Sequence, residues 1–282
     1  MNLSPKIRAQ YLLPHLILSR FAGKLANCRV KWLKNFLIKR FCKKYKIDLT
    51  ESQEQNPADY PDFNSFFTRA LKGNARIFPS EQSAIISPAD GIISQIGEID
   101  IETTLQAKGL TYELQALLAD TPLAKEFQNG KFATIYLAPH NYHRVHMPFK
   151  GKLQKMLYVP GKLFSVNQKT ANSISELFTK NERVITVFDT DIGKMALVLV
   201  GAMLVGNIET VWAGAVNPLH EKAPKIVDYI SQNIVLERAA ELGRFKFGST
   251  VIVLFAKDAI EWSENTKTSQ QVKMGEILGS HL

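Results

Sequence analysis

Three histidines are crowded into seven residues of this chain: His140, His143 and His146 in the segment PHNYHRVHMP. Imidazole is the commonest metal ligand in proteins and also titrates near neutral pH. Pro139 and Pro148 flank the cluster and favour an extended or loop backbone, on which His143 points away from the other two. Because no Cys pair or HExxH pattern adds ligands, acid–base chemistry is favoured and no metal is expected. Hydrogen-bonded structural histidines remain an alternative.

A second candidate is Asp90 in the segment SPADG, residues 87–91. An Asp before a Gly is typical of a turn, since the Asp side chain bonds to nearby backbone and Gly91 tolerates a positive φ. Taken alone, the segment is therefore ordinary turn chemistry. Paired with a histidine base, the same carboxylate could orient the imidazole.

The third candidate is Ser249 in the segment FGST, residues 247–250, which precedes an apolar stretch. A serine hydroxyl that is activated by a base can attack the carbonyl of its own preceding residue. Gly248 leaves that carbonyl uncrowded and tolerates a strained backbone. With a histidine and an aspartate, the segment completes a set of nucleophile, base and orienting group.

The three segments occur in this order in phosphatidylserine decarboxylases, the pyruvoyl-dependent enzymes that make phosphatidylethanolamine, and the chain resembles that family from about Asn64 to Leu282. The matching motifs are FNSFFTRALK (63–72), SPADG (87–91), AKGLTYELQALL (107–118), YHRVHMP (142–148), YVPGKLFSVN (158–167), NERV (181–184), VGAMLVGNI (200–208) and FGST (247–250). Phe247 is a departure, because the bacterial enzymes typically carry Leu there. Phe is also large and apolar, so little consequence is expected.

The resemblance implies that Asp90, His146 and Ser249 form a triad for self-processing. His146 would take the Ser249 proton while Asp90 holds the imidazole. The attack would replace the Gly248–Ser249 amide by an ester, and β-elimination and hydrolysis would leave a covalent pyruvoyl group made from Ser249. The expected products are a β chain, residues 1–248, and an α chain, residues 249–282, which stay associated.

The resemblance also implies the reaction: decarboxylation of phosphatidylserine through a Schiff base with the pyruvoyl group, a carbon–carbon lyase step in phospholipid biosynthesis. His143 is the candidate acid that returns a proton to the substrate, with a hydrogen-bonded loop histidine as the alternative. Ser165 and Asn167 are candidate residues of the substrate pocket.

The positive charge of this chain is concentrated at its N-terminus. Residues 1–46 contain twelve Lys or Arg and no Asp or Glu, which leaves 23 basic and 26 acidic residues for the rest of the 282-residue chain. A basic segment attracts nucleic acid or anionic lipid. The apolar side chains interleaved with it, among them Leu12, Leu13, Trp32, Leu33 and Phe36, favour an amphipathic helix in a bilayer surface. Ordinary packing on the body is the alternative, and nucleic acid is not expected as a partner.

The rest of the chain reads as short apolar or β-branched stretches separated by Gly, Pro, Asn and Asp. Strands are predicted at 84–86, 91–96, 132–138, 152–159, 183–188, 194–200, 203–211 and 250–256, and helices at 64–72, 112–118, 122–127 and 225–232. Because strands and helices do not alternate, the prediction is an α+β fold. It has a β-rich body of mainly antiparallel sheets, residues 51–282, and an N-terminal membrane-associated helical segment, residues 1–50.

Two rival interpretations survive at this point. One is a peripheral membrane-binding protein with a vestigial triad, and the other is a serine hydrolase that acts on a separate substrate. A soluble amino acid derivative and another phospholipid are further possible substrates. No secretory signal or membrane-spanning stretch is visible, so the expected location is the cytoplasmic face of a bacterial inner membrane. A homodimer is possible.

Overall fold

The computed structural model describes residues 10–11, 15–100, 104–107, 110–171, 173–202, 207–216, 222–246 and 249–282. Gly248, Phe247, Leu12 and Leu13 lie outside these ranges, as does part of the strand predicted at 203–211. Within the ranges the chain is β-rich with few helices, and every named strand pairing is antiparallel. The predicted fold class is confirmed.

The largest sheet has nine strands and lies between two hydrophobic clusters. Its strands are β2 (Gly91–Glu98), β5 (Lys131–Leu137), β7 (Gly151–Val159), β8 (Arg183–Thr190), β9 (Gly193–Val200), β12 (Lys225–Asp228), β13 (Val235–Leu236), β15 (Ser249–Phe255) and β17 (Gln271–Val272). The order is β12-β7-β8-β9-β15-β5-β2-β17, and β13 also pairs with β7. All seven residues of β15 are buried, because this strand has a neighbour on each edge and a hydrophobic cluster on each face.

Three smaller sheets complete the body. A four-stranded sheet has the order β11 (Gly214–Ala215), β10 (Ile208–Thr210), β14 (Glu241–Phe245) and β6 (Arg144–His146). A three-stranded sheet joins β1 (Ala84–Ile86), β18 (Ile277–His281) and β16 (Ile260–Trp262), and a hairpin joins β3 (Thr104–Ala107) to β4 (Leu110–Glu113). The chain passes from the nine-stranded to the four-stranded sheet between β5 and β6, and returns between β14 and β15.

The described helices are short except for two near the N-terminus. They are α1 (His15–Ala26), α2 (Lys31–Tyr45), α3 (Phe63–Phe67), α4 (Leu114–Leu118), α5 (Thr121–Lys125), α6 (Gln168–Ala171) and α7 (Leu177–Lys180), with a 3-10 turn at Ile230–Gln232. Asp62 caps α3, since its carboxylate accepts from the Ser65 amide at 2.8 Å. Among the described residues, no helix is long and apolar enough to cross a membrane.

A separate hydrophobic cluster holds the two long helices against the body. Ala26 and Ile38 are buried in it together with Tyr60, Phe63, Phe66 and Phe67, so it extends past residue 50. The predicted division at residue 50 therefore falls within one packed unit and stays a prediction. Lys34 is also buried on α2, where its ammonium group donates to the Ala58 carbonyl at 2.7 Å.

Two sequence-based predictions of structure are wrong. Residues 225–232 do not form a helix: β12 pairs with β7 as an edge strand, and a 3-10 turn follows. The β-branched Ile226 and Val227 suit that edge. Gly91 does not have a positive φ. Glycine is needed there because a Cβ atom would collide with the Tyr136 carbonyl on β5.

Candidate functional site

Asp90 is held at the site by one ion pair and one backbone bond. Its carboxylate accepts from Arg76 Nη2 and from the Met274 amide, both at 2.8 Å. The residue is 8% exposed, and burial raises the pKa of the carboxyl group while Arg76 opposes that rise. The loop that carries Asp90 lies against β6, because the Pro88 carbonyl accepts from the His146 amide at 2.8 Å.

His146 ends strand β6, and both of its ring nitrogens have partners. Nδ1 lies 2.8 Å from the Ala239 carbonyl oxygen, and Nε2 lies 2.9 Å from the Tyr142 hydroxyl. Since a carbonyl only accepts, Nδ1 carries the proton and Nε2 accepts from Tyr142. Burial lowers the pKa of His146, so the ring is a neutral base whose one lone pair is occupied by a tyrosine.

His143 is fully buried and has only one ring nitrogen engaged. Nδ1 donates to the Asn141 carbonyl at 2.9 Å, whereas Nε2 has no hydrogen-bond partner in the described part of the chain. Its ring packs on Phe67 at 4.0 Å between centroids. Burial, together with the charge of Arg69, lowers the pKa of His143 to about 3. The imidazole is therefore neutral, with a free lone pair on Nε2.

Ser249 is the first residue of β15 and is also fully buried. Its hydroxyl has no hydrogen-bond partner among the described residues. A buried hydroxyl without a partner loses hydration for no compensating bond. The Thr250 hydroxyl beside it is likewise buried without a described partner, so the position of Ser249 at a junction between two sheets is what distinguishes it.

The topology brings Ser249 and the histidines to one junction between two sheets. On the nine-stranded side Ser249 pairs with Leu137, the last residue of β5. On the four-stranded side the Phe245 amide donates to the His143 carbonyl at 3.0 Å. Two connections therefore share their end points: residues 137 and 249 are paired in the nine-stranded sheet, and residues 143 and 245 are bonded at the four-stranded sheet.

The structure does not join the three predicted triad residues by hydrogen bonds. Among the described residues, Asp90 bonds to Arg76 and Met274, and His146 bonds to Tyr142 and Ala239. Asp90 does act on His146 through space, since its charge raises the pKa of that histidine. The triad therefore remains a prediction, and the attacked carbonyl of Gly248 lies outside the described residues.

Sequence reasoning missed three side chains at the site: Arg76, Tyr142 and Arg69. Arg76 also binds Glu51 at 2.8 Å, which ties the segment that begins the predicted body, at residue 51, to Asp90. Arg69 donates to the His140 and Asn141 carbonyls at 3.1 and 3.4 Å. Tyr142 and Arg69 both stand inside motifs that had been singled out, so their position in those motifs was the available signal.

Ser165 and Asn167 are engaged elsewhere. The Asn167 amide donates to Ser165 Oγ at 2.8 Å, its oxygen caps α6 through the Thr170 amide at 3.0 Å, and the Ser165 amide donates to Gln10 at 2.9 Å. None of these bonds reaches the junction, so their place in a substrate pocket stays a prediction. His140 is exposed, and within the described residues no group of three His, Cys, Asp or Glu gathers to hold a metal.

Comparison with known proteins covers nearly the whole chain. A family model described as phosphatidylserine decarboxylase matches residues 63–280, and a second, described as PSD, matches residues 5–46. A phosphatidylserine decarboxylase proenzyme of Pseudomonas fluorescens is 52% identical over 97% of this chain and 96% of its own length. Proenzymes of the same name from Ectopseudomonas mendocina and Azotobacter vinelandii are 50% and 49% identical over 96–97% of each chain.

Proposed function

The chain belongs to the phosphatidylserine decarboxylase family, and from that premise we propose that it cuts itself before Ser249 and then converts phosphatidylserine to phosphatidylethanolamine and CO₂. The name proenzyme in its relatives supports a precursor that is processed into two chains. The observation that carries the proposal is the fully buried hydroxyl of Ser249, which has no partner among the described residues and lies at the junction that also holds His143.

In the proposed processing, the Ser249 oxygen attacks the carbonyl carbon of Gly248 and gives up its proton. The amide C–N bond breaks, the Ser249 nitrogen takes a proton, and an ester replaces the amide. Removal of the Cα proton of residue 249 then expels the Gly248 carboxylate. Water replaces the resulting enamine nitrogen, which leaves as ammonia, so that residue 249 ends as a pyruvoyl group. His146 is the proposed base, and Asp90 favours its charged form through space.

A pyruvoyl group at position 249 would supply an electrophilic carbonyl for the substrate amine and an electron sink for the departure of CO₂. The chain's own residues fit such a group at position 249, because Ser249 and His143 are both fully buried and His143 Nε2 has no hydrogen-bond partner among the described residues. His143 is the proposed acid that returns a proton to the substrate Cα. Because the ring is neutral in this structure, it must take up a proton during the cycle before it can act as that acid.

We extend the proposal to the membrane. Phe21, Trp32 and Phe36 are 70%, 72% and 56% exposed on α1 and α2, among exposed lysines and arginines. Aromatic and basic side chains on one helical surface suit the interface of an anionic bilayer, where the substrate lipid resides. The proposed location is the cytoplasmic face of a bacterial inner membrane, and the proposed pathway is phospholipid biosynthesis.

Denaturing electrophoresis and intact mass spectrometry test the processing. The wild type is expected to give an α chain of 34 residues with a blocked N-terminus, and Ser249→Ala is expected to remain one chain. Asp90→Ala and His146→Ala are expected to stall at the uncut chain. Ser94→Ala, which alters a serine bonded to the Thr134 carbonyl, is the control that should cut normally. An uncut wild type, or normal cutting by either triad variant, contradicts the respective assignment.

His143→Ala separates processing from turnover. This variant is expected to yield both chains and to lose roughly 10²–10⁴-fold in decarboxylation, the usual contribution of a general acid–base group. Release of CO₂ from phosphatidylserine in detergent measures the loss. A cut variant with near-normal activity would show that His143 is a structural histidine.

A further inference from the structure

Two buried arginines of this protein differ in how their donors are satisfied. Arg183 is 2% exposed, and all three of its guanidinium nitrogens donate to backbone carbonyls, those of Leu117, Ala116, Thr179 and Asn181. Arg69 is 5% exposed, yet Nε and Nη1 have no hydrogen-bond partner in the described part of the chain. Arg183 is thus a structural residue, whereas Arg69 keeps unused donors.

The positive charge of Arg69 is not neutralised by an ion pair among the described residues. Asp90 is close enough to influence it, but that carboxylate is already bonded to Arg76 and the Met274 amide. The Phe66 ring, 5.8 Å from the guanidinium carbon, gives a weak cation–π contact. An unpaired buried charge is strongly unfavourable, so an anion is expected to complete this site.

The third guanidinium nitrogen of Arg69, Nη2, contacts the junction that holds Ser249 and His143. Nη2 donates to the Asn141 carbonyl, which also accepts from His143 Nδ1. Arg69 and His143 therefore meet at one backbone oxygen, and the charge of Arg69 lowers the pKa of His143. Because the two side chains are this close, one ligand could bind Arg69 through its free donors and also contact His143.

We propose that Arg69 binds the phosphodiester of the lipid headgroup, an inference that rests on the proposed decarboxylase function. The substrate headgroup offers two anions, a carboxylate and a phosphodiester. A guanidinium on the carboxylate would stabilise the charge that must disperse as CO₂ leaves, and so would oppose the reaction. The phosphodiester keeps its charge throughout the reaction. A contact with it therefore stabilises the bound substrate and the transition state equally.

Arg69 is 5% exposed in the uncut chain, and its Nη2 atom holds the connection 138–143 by a bond to the His140 carbonyl. The proposed reaction needs the group that the cut would produce at position 249. The processed protein is therefore the form to be tested.

Titration calorimetry on the processed protein separates the two anions. sn-Glycero-3-phosphoethanolamine carries the phosphodiester without the carboxylate, and L-serine carries the carboxylate without the phosphodiester. Arg69→Gln is expected to weaken the first probe by about 10- to 100-fold, the loss of a charged hydrogen-bonded contact, and to leave L-serine unchanged. Arg69→Lys, which keeps the charge, is expected to lose less. For phosphatidylserine, KM should rise far more than kcat falls.

Arg183→Lys is the matched control, because it alters a buried arginine without free donors. It is expected to lower the unfolding temperature and to leave the affinity for the phosphodiester probe unchanged. The proposal is overturned if folded Arg69→Gln binds that probe as the wild type does, if only L-serine is weakened, or if Arg183→Lys weakens the probe equally.

A measurement on the wild type covers the case in which Arg69→Gln does not fold. Phenylglyoxal should modify Arg69 in the processed protein, and the phosphodiester probe should protect it while leaving the ion-paired Arg244 unprotected, as read by peptide mass spectrometry. An Arg69 that is never modified, or never protected, overturns the inference. A wild type that is neither cut nor active contradicts the proposed function instead, so the two failures are distinguishable.

Discussion

At the scale of single residues, the buried His143 and the half-buried His146 share one tautomer and differ in what occupies the other ring nitrogen. Each donates from Nδ1 to a backbone carbonyl. His146 Nε2 accepts from Tyr142, while His143 Nε2 has no described partner. The nitrogen proposed to activate Ser249 is therefore occupied in this structure, and the free lone pair belongs to the histidine assigned to turnover.

The Tyr142 hydroxyl is expected to compete with Ser249 for His146. Tyr142→Phe removes the hydroxyl and frees Nε2, so self-cleavage is expected to be at least as fast as in the wild type. Freshly synthesised precursor, sampled over time on denaturing gels, gives the rate. A markedly slower cut would mean that the hydroxyl relays the proton rather than blocking the base.

Burial of neutral His143 predicts acid sensitivity of the fold. Its pKa is about 3 in the folded protein and about 6.5 in an unfolded chain. Below pH 6.5 the unfolded state therefore binds a proton that the native state does not, and the free energy of unfolding falls as the pH falls. The contribution approaches about 1.4 kcal/mol per pH unit and is absent above pH 6.5.

Urea unfolding of the uncut Ser249→Ala chain, with and without His143→Gln, measures this effect between pH 7.5 and 5. The variant with Gln is expected to lose less stability on acidification, even if it is less stable at pH 7.5. His146 and Asp90 titrate in both proteins and cancel in the comparison. Equal acid sensitivity would show that His143 is protonated in the folded state.

The sequence could reveal the residues of the site but not their partners. Asp90, His143 and Ser249 stand in motifs whose chemistry is readable from residue types. Arg76 is 14 positions before Asp90, and Ala239 is 93 positions after His146, and no local pattern reports such pairings. They depend on how two sheets meet, which single-sequence periodicity does not encode.

At the scale of elements, the helical structure predicted for the N-terminal segment is present in α2, Lys31–Tyr45. Trp32 and Phe36, which are predicted to lie in a bilayer surface, are 72% and 56% exposed, while Ile38 and Lys34 are buried against the body. The aromatic side chains of α2 thus divide between the hydrophobic cluster and the surface. Contact of the exposed side chains with a membrane stays a prediction.

The exposed aromatics predict a membrane-binding variant that folds normally. Trp32→Ser with Phe36→Ser is expected to weaken sedimentation with anionic vesicles, especially the part that resists salt, because burial of apolar groups is not screened. The remaining cationic attraction should fall as salt rises, since the Debye length is about 10 Å at 0.1 M. Circular dichroism should be unchanged, because both side chains are exposed.

Ile226→Ser is the matched control for that experiment. Ile226 is 66% exposed, but it lies on the edge strand β12 rather than on the helices. Its replacement should leave vesicle binding intact. Equal binding by the wild type and the folded Trp32/Phe36 variant would contradict insertion of α2 into the bilayer.

Strand positions were easier to predict from the sequence than helix positions, for a physical reason. The predicted strands at 84–86, 152–159 and 183–188 correspond to β1, β7 and β8, because buried strands need continuous runs of apolar or β-branched residues. The segment 225–232 has similar residues mixed with polar ones. Its pairing with β7 comes from a distant part of the chain, so tertiary contacts decide its structure.

At the scale of the whole molecule, the proposed cut falls at the entrance to the central strand. The segment 249–282 contains β15, β16, β17 and β18, and β15 pairs with β5 on one edge and β9 on the other. Val251, Ile252, Val253, Leu254 and Phe255 are all fully buried. Burial of each such side chain contributes about 1.5–3 kcal/mol, so the two chains are expected to remain together.

Native and denaturing mass spectrometry of one processed sample check this association. Native spectra are expected to show only species that contain both chains, and denaturing spectra are expected to show them apart. Because β15 lies inside the sheet, separation should coincide with loss of the β-sheet circular dichroism signal in urea. Loss of the short chain during dialysis of folded protein would contradict a central position for β15.

The central placement of β15 makes the proposed maturation a one-way event. An uncut chain folds as a single molecule, with β15 tethered to β14 by a few residues. Once the tether is cut, unfolding becomes dissociation, and the apparent stability acquires a dependence on protein concentration. Recovery then requires a 34-residue segment to find the gap between β5 and β9 without the advantage of loop closure. In a dilute sample, a mature molecule that loses this strand is expected to be lost for good, and only newly made chains can replace it.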